Sequence, residues 1–297
     1  MKTATEQDLR QLSDRLAAHI QTLAGDIGER NIFKPGAYRR AADYIAGAFK
    51  DAGYEVDWQR FEAQRVTCAN LTATRVGSTR ADEIVVIGAH YDSVAGCPGA
   101  NDNASAVAAL LELARRFAGD RPARTIRFVA FANEEPPFFL TDKMGSRVYA
   151  GACRERRDDV QAMISLETLG CYNDAPGSQR YPPLFRFFYP DRGNFVAFVS
   201  DLGSRPLLSR SARVFRAHSN VPLETCATFA SVPGVDWSDH GSFWKHGYRA
   251  FMVTDTAPYR YSHYHEPTDT PEKVNCDMLA RVTLGIEAVV RDLAAGE

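Results

Sequence analysis

Two adjacent glutamates, Glu134 and Glu135, follow the apolar run TIRFVAFA and precede two prolines, Pro136 and Pro137. Neighbouring carboxylates beside an apolar strand repel each other and lose hydration, so they need a positive partner. Other apolar runs end in residues of matching chemistry. EIVVIGAHYDS carries His90 and Asp92, and the segment after it carries Asp102. MISLETLG encloses Glu167 among apolar residues, and YSHYHEPTDT carries His263 and His265. Singly, each has an ordinary explanation: a hydrogen-bonded histidine, a helix N-cap for Asp102, a solvated strand end for the glutamate pair. Glu167 resists that treatment, because a buried carboxylate requires a compensating charge. Jointly, the residues form the donor set of a metal centre.

Imidazole nitrogen with carboxylate oxygen is the ligand chemistry of open catalytic zinc sites. Three carboxylates and two neutral imidazoles suit a pair of dications, leaving one positive charge for a bound hydroxide to balance. Two-metal hydrolases share a bridging ligand between ions about 3.5–4 Å apart, and Asp102 suits that bridge. Successive side chains at a strand end point to opposite faces. One of Glu134 and Glu135 can therefore bind metal while the other faces an attacking water. His90 and Asp92 are two apart, on one face of an extended strand, so Asp92 can accept the second N–H of His90.

The elements that must position these residues are readable from periodicity. Leu9, Leu12, Leu16, Ile20 and Leu23 space a helix over residues 6–24. A second helix runs from Tyr38 to Ala52 and stops at Gly53. YEVDWQRF alternates as a strand. EIVVIGAH, TIRFVAFA, VQAMISLETLG, NFVAFVS and YRAFMVT read as strands of a buried sheet. NDNASAVAALLELARRFAG reads as a capped helix, and residues 271–295 as a helical tail. Strands alternating with helices predict an α/β sandwich with a largely parallel or mixed sheet. Ligands in such sheets bind beyond the carboxyl ends of the strands, where the candidate residues gather. Residues 172–194, rich in Pro, Gly and aromatics, read as a long ordered loop. No repeat or domain boundary interrupts the chain, so residues 1–297 form one domain, with residues 1–55 leading into the sheet.

The composition excludes several classes. Of 297 residues, 45% are hydrophobic, enough for a sizeable core. A formal net charge of -2 leaves no nucleic-acid footprint, and no run reaches membrane-spanning length. The polar start MKTATEQDLRQLSDRLAAHI lacks the apolar centre of a signal peptide. The expectation is a cytoplasmic protein, or a secreted or periplasmic one if a leader has been removed. The six dispersed cysteines, with no CxxC pair, read as free thiols.

GAHYDS, PGANDNASAVAALLE, FANEEPP, SDHGSFWKHGYRA and YHEPTDT occur in an order that resembles the M28 family of zinc aminopeptidases. The resemblance runs from the helix at Tyr38 to the C-terminal helix. It implies a three-layer α/β/α sandwich around a mixed, mostly parallel sheet. It further implies two zinc ions, one on His90, Asp102 and Glu167, the other on Asp102, Glu135 and His265. Glu134 is then the general base, Asp92 the carboxylate behind His90, and Asp239 a nearby acid that is not a ligand. The substrate implied is a peptide with a free N-terminus. Two positions depart from the pattern: Glu167 stands where Asp is common, and Asn101 where many relatives have a second Asp.

The chain has no GxSxG elbow and no HExxH, which argues against serine hydrolases and gluzincins. A glutaminyl cyclase on the same fold is the nearer rival, but its residue before the last ligand His is typically Trp, and here it is Tyr264. A catalytically inactive peptide-binding relative predicts broken ligands, and all ligand types are present. Tyr172, Tyr181, Phe185 and Phe187 either border an apolar substrate pocket or pack in the core.

Overall fold

The computed structural model describes residues 5–296, so Met1–Ala4 of the polar N-terminal stretch and Glu297 lie outside the described residues. The chain opens with helix α1 (Glu6–Ile20), whose N-cap Thr5 exchanges hydrogen bonds with Asp8 in a capping box. A wide turn (Gln21–Ile27) leads to α2 (Pro35–Asp51), which starts on a proline with no N–H to waste. The antiparallel pair β1 (Val56–Ala63) and β2 (Val66–Arg75) follows. Then come β3 (Arg80–His90), α3 (Ala106–Phe117), β4 (Arg124–Phe131), α4 (Gly145–Arg156) and β5 (Asp159–Glu167). After residues 172–194 the chain forms β6 (Val196–Asp201), α5 (Arg205–His218), β7 (Leu223–Thr228) and α6 (His240–Lys245). It ends with β8 (Ala250–Thr254), the short α7 (Ala257–Arg260) and α8 (Cys276–Ala295).

Among the described residues eight strands join one mixed sheet in the order β1-β2-β4-β3-β5-β8-β6-β7. Its centre, β4-β3-β5-β8, is parallel, as is β6-β7, while β1-β2, β2-β4 and β8-β6 are antiparallel. The pleat sends alternate residues to opposite faces. On β3, Val85, Ile87 and Ala89 enter the larger core, which α1, α2, α3, α5 and α8 cover. Ile84 and Val86 face the other way, where Tyr149 and Cys153 of α4 and Phe243 of α6 cover them. Gly88 follows on that second face, where the Phe131 ring crosses it and a Cβ would sit 2.1 Å from the ring. This is the three-layer α/β/α arrangement, with one thick helical layer and one thin one.

The structure adds elements that periodicity does not reveal. β2 interleaves Thr, Cys and Asn with its apolar residues, and the buried Asn70 interrupts the pattern. β7 is a short strand at the sheet edge, and α5 carries four arginines among its apolar positions. The helix expected from residue 101 begins at Ala106 instead. Residues 100–105 form a wide turn that includes Asp102 (φ -111°, ψ 92°), and the residue capping α3 is Ser105, so Asp102 is no N-cap. The six cysteines are all free. Among the described residues no helix is long and apolar enough to cross a membrane.

Candidate metal centre and adjoining pocket

The parallel centre of the sheet points four carboxyl ends to one edge, and the candidate residues lie there. His90 is the last residue of β3 and Glu167 the last of β5. Glu134 and Glu135 come three and four residues after β4 ends at Phe131, beyond the strand, so strand alternation does not set their directions. Asn133, with φ 56°, turns the chain first; asparagine tolerates this left-handed conformation better than most residues. Asp102 comes from the turn before α3, and His265 from the loop after α7.

Asp102 sits between the two histidines. Its Oδ1 is 3.4 Å from His90 Nε2 and its Oδ2 is 3.2 Å from His265 Nε2. Glu167 Oε2 completes the first group at 3.3 Å from His90 Nε2, and Glu135 Oε2 the second at 3.3 Å from His265 Nε2. In each triad, His90–Asp102–Glu167 and Asp102–Glu135–His265, one donor atom per residue lies within 4.8 Å of the others. Glu134 belongs to neither triad, and its Oε2 is 3.8 Å from His90 Nε2. His263 is turned away: its Nδ1 meets Thr268 Oγ1 at 2.8 Å on the surface.

Several residues that sequence reading did not single out hold this arrangement. Asp269 accepts the backbone N–H of Asn101 on Oδ1 at 2.9 Å and that of Asp102 on Oδ2 at 3.1 Å. Asn103 donates to the Leu166 carbonyl and accepts from the Thr168 N–H, which ties the Asp102 turn to the end of β5. Ser238 donates to Glu167 Oε2 at 2.7 Å. Tyr38 hydroxyl donates to Asn133 Oδ1 at 2.9 Å and accepts the Asn133 N–H at 3.0 Å. Arg30 is fully buried and gives its guanidinium to the carbonyls of Tyr91, Pro98 and Gly99, the segment between His90 and Asp102. Asp269 was within reach of the sequence, since it stands in the YHEPTDT block. Arg30 was not, because the carbonyls through which it holds this segment lie more than sixty residues away.

Asp92 differs from its expected role. It lies 3.5 Å from His90 Nδ1, but its hydrogen bonds go elsewhere. Oδ1 accepts the Glu134 N–H and Oδ2 the Glu135 N–H, each at 3.0 Å.

The electrostatics are those of a cation site. Burial pushes the Glu134 carboxyl well above its ordinary value; the nearby His90 opposes this and Glu167 adds to it. Burial and the Asp102 charge push Glu135 up to about 7, against the pull of His265. Burial pulls His90 down, but the charges of Glu167, Glu134, Asp102 and Asp92 outweigh it and raise its pKa well above 6.5. Both ring nitrogens of His90, Asp102 Oδ1 and Glu135 Oε1 are buried without a hydrogen bond. Such atoms are costly unless something compensates them. Dications do so, and nitrogen with carboxylate donors fits zinc. His265 and Glu167 are the least covered members, with side chains 33% and 12% exposed. The approach to the centre is from their side.

A pocket opens there, sharing Glu167, Thr168 and Tyr264 with the centre. Tyr264 stacks on the His265 ring, centroids 3.9 Å apart. Tyr181 and Phe185 from residues 172–194 line the pocket. Tyr172 packs against the main core instead, and Phe187 is exposed. The thin second layer explains the opening: α6 covers β5 and β8, and residues 172–194 take over beside β6 and β7.

A model of "Peptidase family M28" matches residues 70–290. "Uncharacterized protein YfbL" of Escherichia coli is 36% identical over 282 residues, 92% of this chain and 86% of that protein. A "Probable zinc metalloprotease" of Pyricularia oryzae is 27% identical over 73% of this chain, which spans 48% of that longer protein. Among solved structures, BSAP, a zinc aminopeptidase from Bacillus subtilis, superposes with a TM-score of 0.77 over 96% of this chain and 95% of its own, at 16% identity. A glutaminyl cyclase from Fimbriiglobus ruber superposes at 0.68 over 94% of each chain, with 19% identity.

Proposed function

We propose that this chain, which belongs to peptidase family M28, is a zinc-dependent aminopeptidase that removes single residues from the N-terminus of peptides. One observation carries this: Asp102 turns one carboxylate oxygen to His90 and the other to His265, and Glu167 and Glu135 close a triad on either side. His90, Asp102 and Glu167 would hold one zinc, and Asp102, Glu135 and His265 the second. Bound zinc supplies Lewis acidity, which polarises a carbonyl and makes water a nucleophile near neutral pH.

The remaining chemistry belongs to the protein. Glu134, buried beside both triads but in neither, is the proton carrier: it takes the proton of the attacking water and passes it to the leaving amine. Its burial favours the protonated form and so helps the second transfer. Beside the three carboxylates of the triads stand three further buried acids, Asp92, Glu134 and Asp239. This wealth of acids favours a substrate ammonium over a blocked terminus, and thus an exopeptidase. The pocket beside Glu167 and Tyr264 receives the side chain of the terminal residue.

The Glu134→Gln variant tests the assignment. It should retain two zinc ions per chain by elemental analysis and lose about 10²–10⁴-fold in kcat on an aminoacyl-nitroanilide. Turnover near that of the unmodified protein would remove Glu134 from the mechanism, and one zinc per chain would remove the second triad.

A further inference from the structure

The pocket contains one carboxylate that the metal centre does not use. Glu224 lies on the edge strand β7, and strand register fixes where it points. Glu167 pairs with Thr254 across β5 and β8, Thr254 with Ala197 across β8 and β6, and Ala197 with Glu224 across β6 and β7. Register partners share a sheet face. The four side chains therefore form one row, and all four border the pocket. The row begins at a candidate zinc ligand and ends, three strand spacings later, at a second acid. At about 4.8 Å per spacing this is about 14 Å between backbones.

The surroundings of Glu224 are aromatic and apolar. Tyr189 stacks between Tyr181 and Phe185, with ring centroids 5.8 Å and 6.0 Å away. Val199 and Met252 of the same sheet face complete the wall. Among the described residues no hydrogen bond or ion pair within 4 Å holds the Glu224 carboxylate. Burial pushes its pKa up, and only the charge of Arg216 opposes this. A half-buried carboxylate among aromatic rings is costly alone. A cation lowers that cost twice, by pairing with the carboxylate and by lying against the ring faces.

We propose that this pocket selects substrates with an N-terminal lysine or arginine, the apolar wall taking the methylene stem and Glu224 with Tyr181 and Tyr189 taking the cation. The assignment rests on the aminopeptidase reading and names its substrate class. The lengths agree. An extended lysine or arginine carries its charge about 6–7 Å from Cα, and an ion pair adds about 3 Å. The remaining 4–5 Å spans the terminal residue's own carbonyl, whose oxygen lies about 2.4 Å from Cα, and its contact with the centre, about 2 Å. A leucine side chain stops well short and leaves Glu224 desolvated without a partner.

The test compares nitroanilides of lysine, arginine, norleucine, leucine and phenylalanine on the zinc-loaded protein. Norleucine keeps the stem of lysine and lacks the charge. The proposal expects kcat/KM for lysine and arginine about tenfold above norleucine. Glu224→Gln should bring the lysine-to-norleucine ratio close to one, and Glu224→Arg should favour glutamyl over lysyl substrate. Each variant is first matched to the parent by thermal melting. Calorimetric binding of Lys-Ala and norleucyl-Ala to the Glu134→Gln protein should give the same preference without turnover. Norleucine, leucine or phenylalanine equal to or better than lysine overturns the pocket assignment alone, as does an unchanged ratio in Glu224→Gln. Turnover of none of the substrates overturns the aminopeptidase reading, and the pocket assignment with it.

Discussion

The carboxylate of Asp92 accepts the backbone N–H of Glu134 on Oδ1 at 3.0 Å, and with its other oxygen it accepts the next N–H, that of Glu135, at the same distance. One side chain thereby fixes the backbone at the point where two neighbouring glutamates diverge. One then faces His265, and the other stands beside His90 outside both triads. The repulsion between adjacent acids is managed by this backbone clamp, by the two histidines and, on our proposal, by zinc.

Asp92→Asn should break the clamp. Asparagine has one acceptor oxygen, and its amide turns a donor toward a second donor. Leaving a buried N–H unpaired costs about 1–3 kcal/mol. We expect that loss in a denaturant titration, with a drop in kcat/KM of at least about tenfold. Unchanged stability and activity would show that Asp92 positions nothing.

His265 and His263 separate cleanly in the structure. His265 lies 3.2 Å from Asp102, and His263 is engaged with Thr268 at the surface. His265→Ala should abolish activity and lower zinc content to about one ion per chain, whereas His263→Ala should keep both ions and lose activity only in part. Equal losses in the two variants would undo the ligand assignment.

His240 makes stability depend on pH. It is buried in α6, its Nε2 meets the Val235 carbonyl at 2.7 Å, and its ring stands edge-on to Trp244. Burial pulls its pKa down to about 4, against the upward pull of the Val235 carbonyl. The unfolded chain binds a proton near pH 6.5, the folded one only near 4. Its contribution is therefore full above pH 6.5 and is lost as pH falls through that window. Relative to His240→Gln, the parent should lose up to about 3 kcal/mol between pH 6.5 and 4. A constant difference across the window would show that His240 is not held neutral.

The sequence makes the chemistry legible better than the scaffold. His90, Glu134, Glu135 and Glu167 stand at or just past the ends of apolar runs, and a parallel sheet delivers such ends to one edge. The M28 resemblance likewise anticipates the family. The geometry of the Asp102 turn was not legible. Its Asx-rich sequence reads as a helix start, yet Asp269, 167 residues beyond Asp102, accepts the Asn101 and Asp102 N–H groups and holds the turn open, and α3 begins only at Ala106. Glu134 and Glu135 lie past the end of β4, so alternation gives the right idea of divergence for the wrong reason. β2 and β7 escape notice because a strand at or near an edge tolerates polar residues that blur the two-residue period. Arg30 shows the limit most clearly: no local signal marks a guanidinium that ties its own segment to carbonyls on another loop.

The central claim is zinc-dependent removal of a free N-terminal residue. Mass spectrometry of one peptide series tests it most directly, with free, acetylated and glutamine N-termini, with zinc and with a chelator. The account predicts loss of the terminal residue from the free peptide, the same but slower loss from the glutamine peptide, no change in the acetylated peptide, and no reaction with chelator. Loss of ammonia from the glutamine peptide alone would make the protein a cyclase, and cleavage of the acetylated peptide or of any peptide without metal would contradict the account outright.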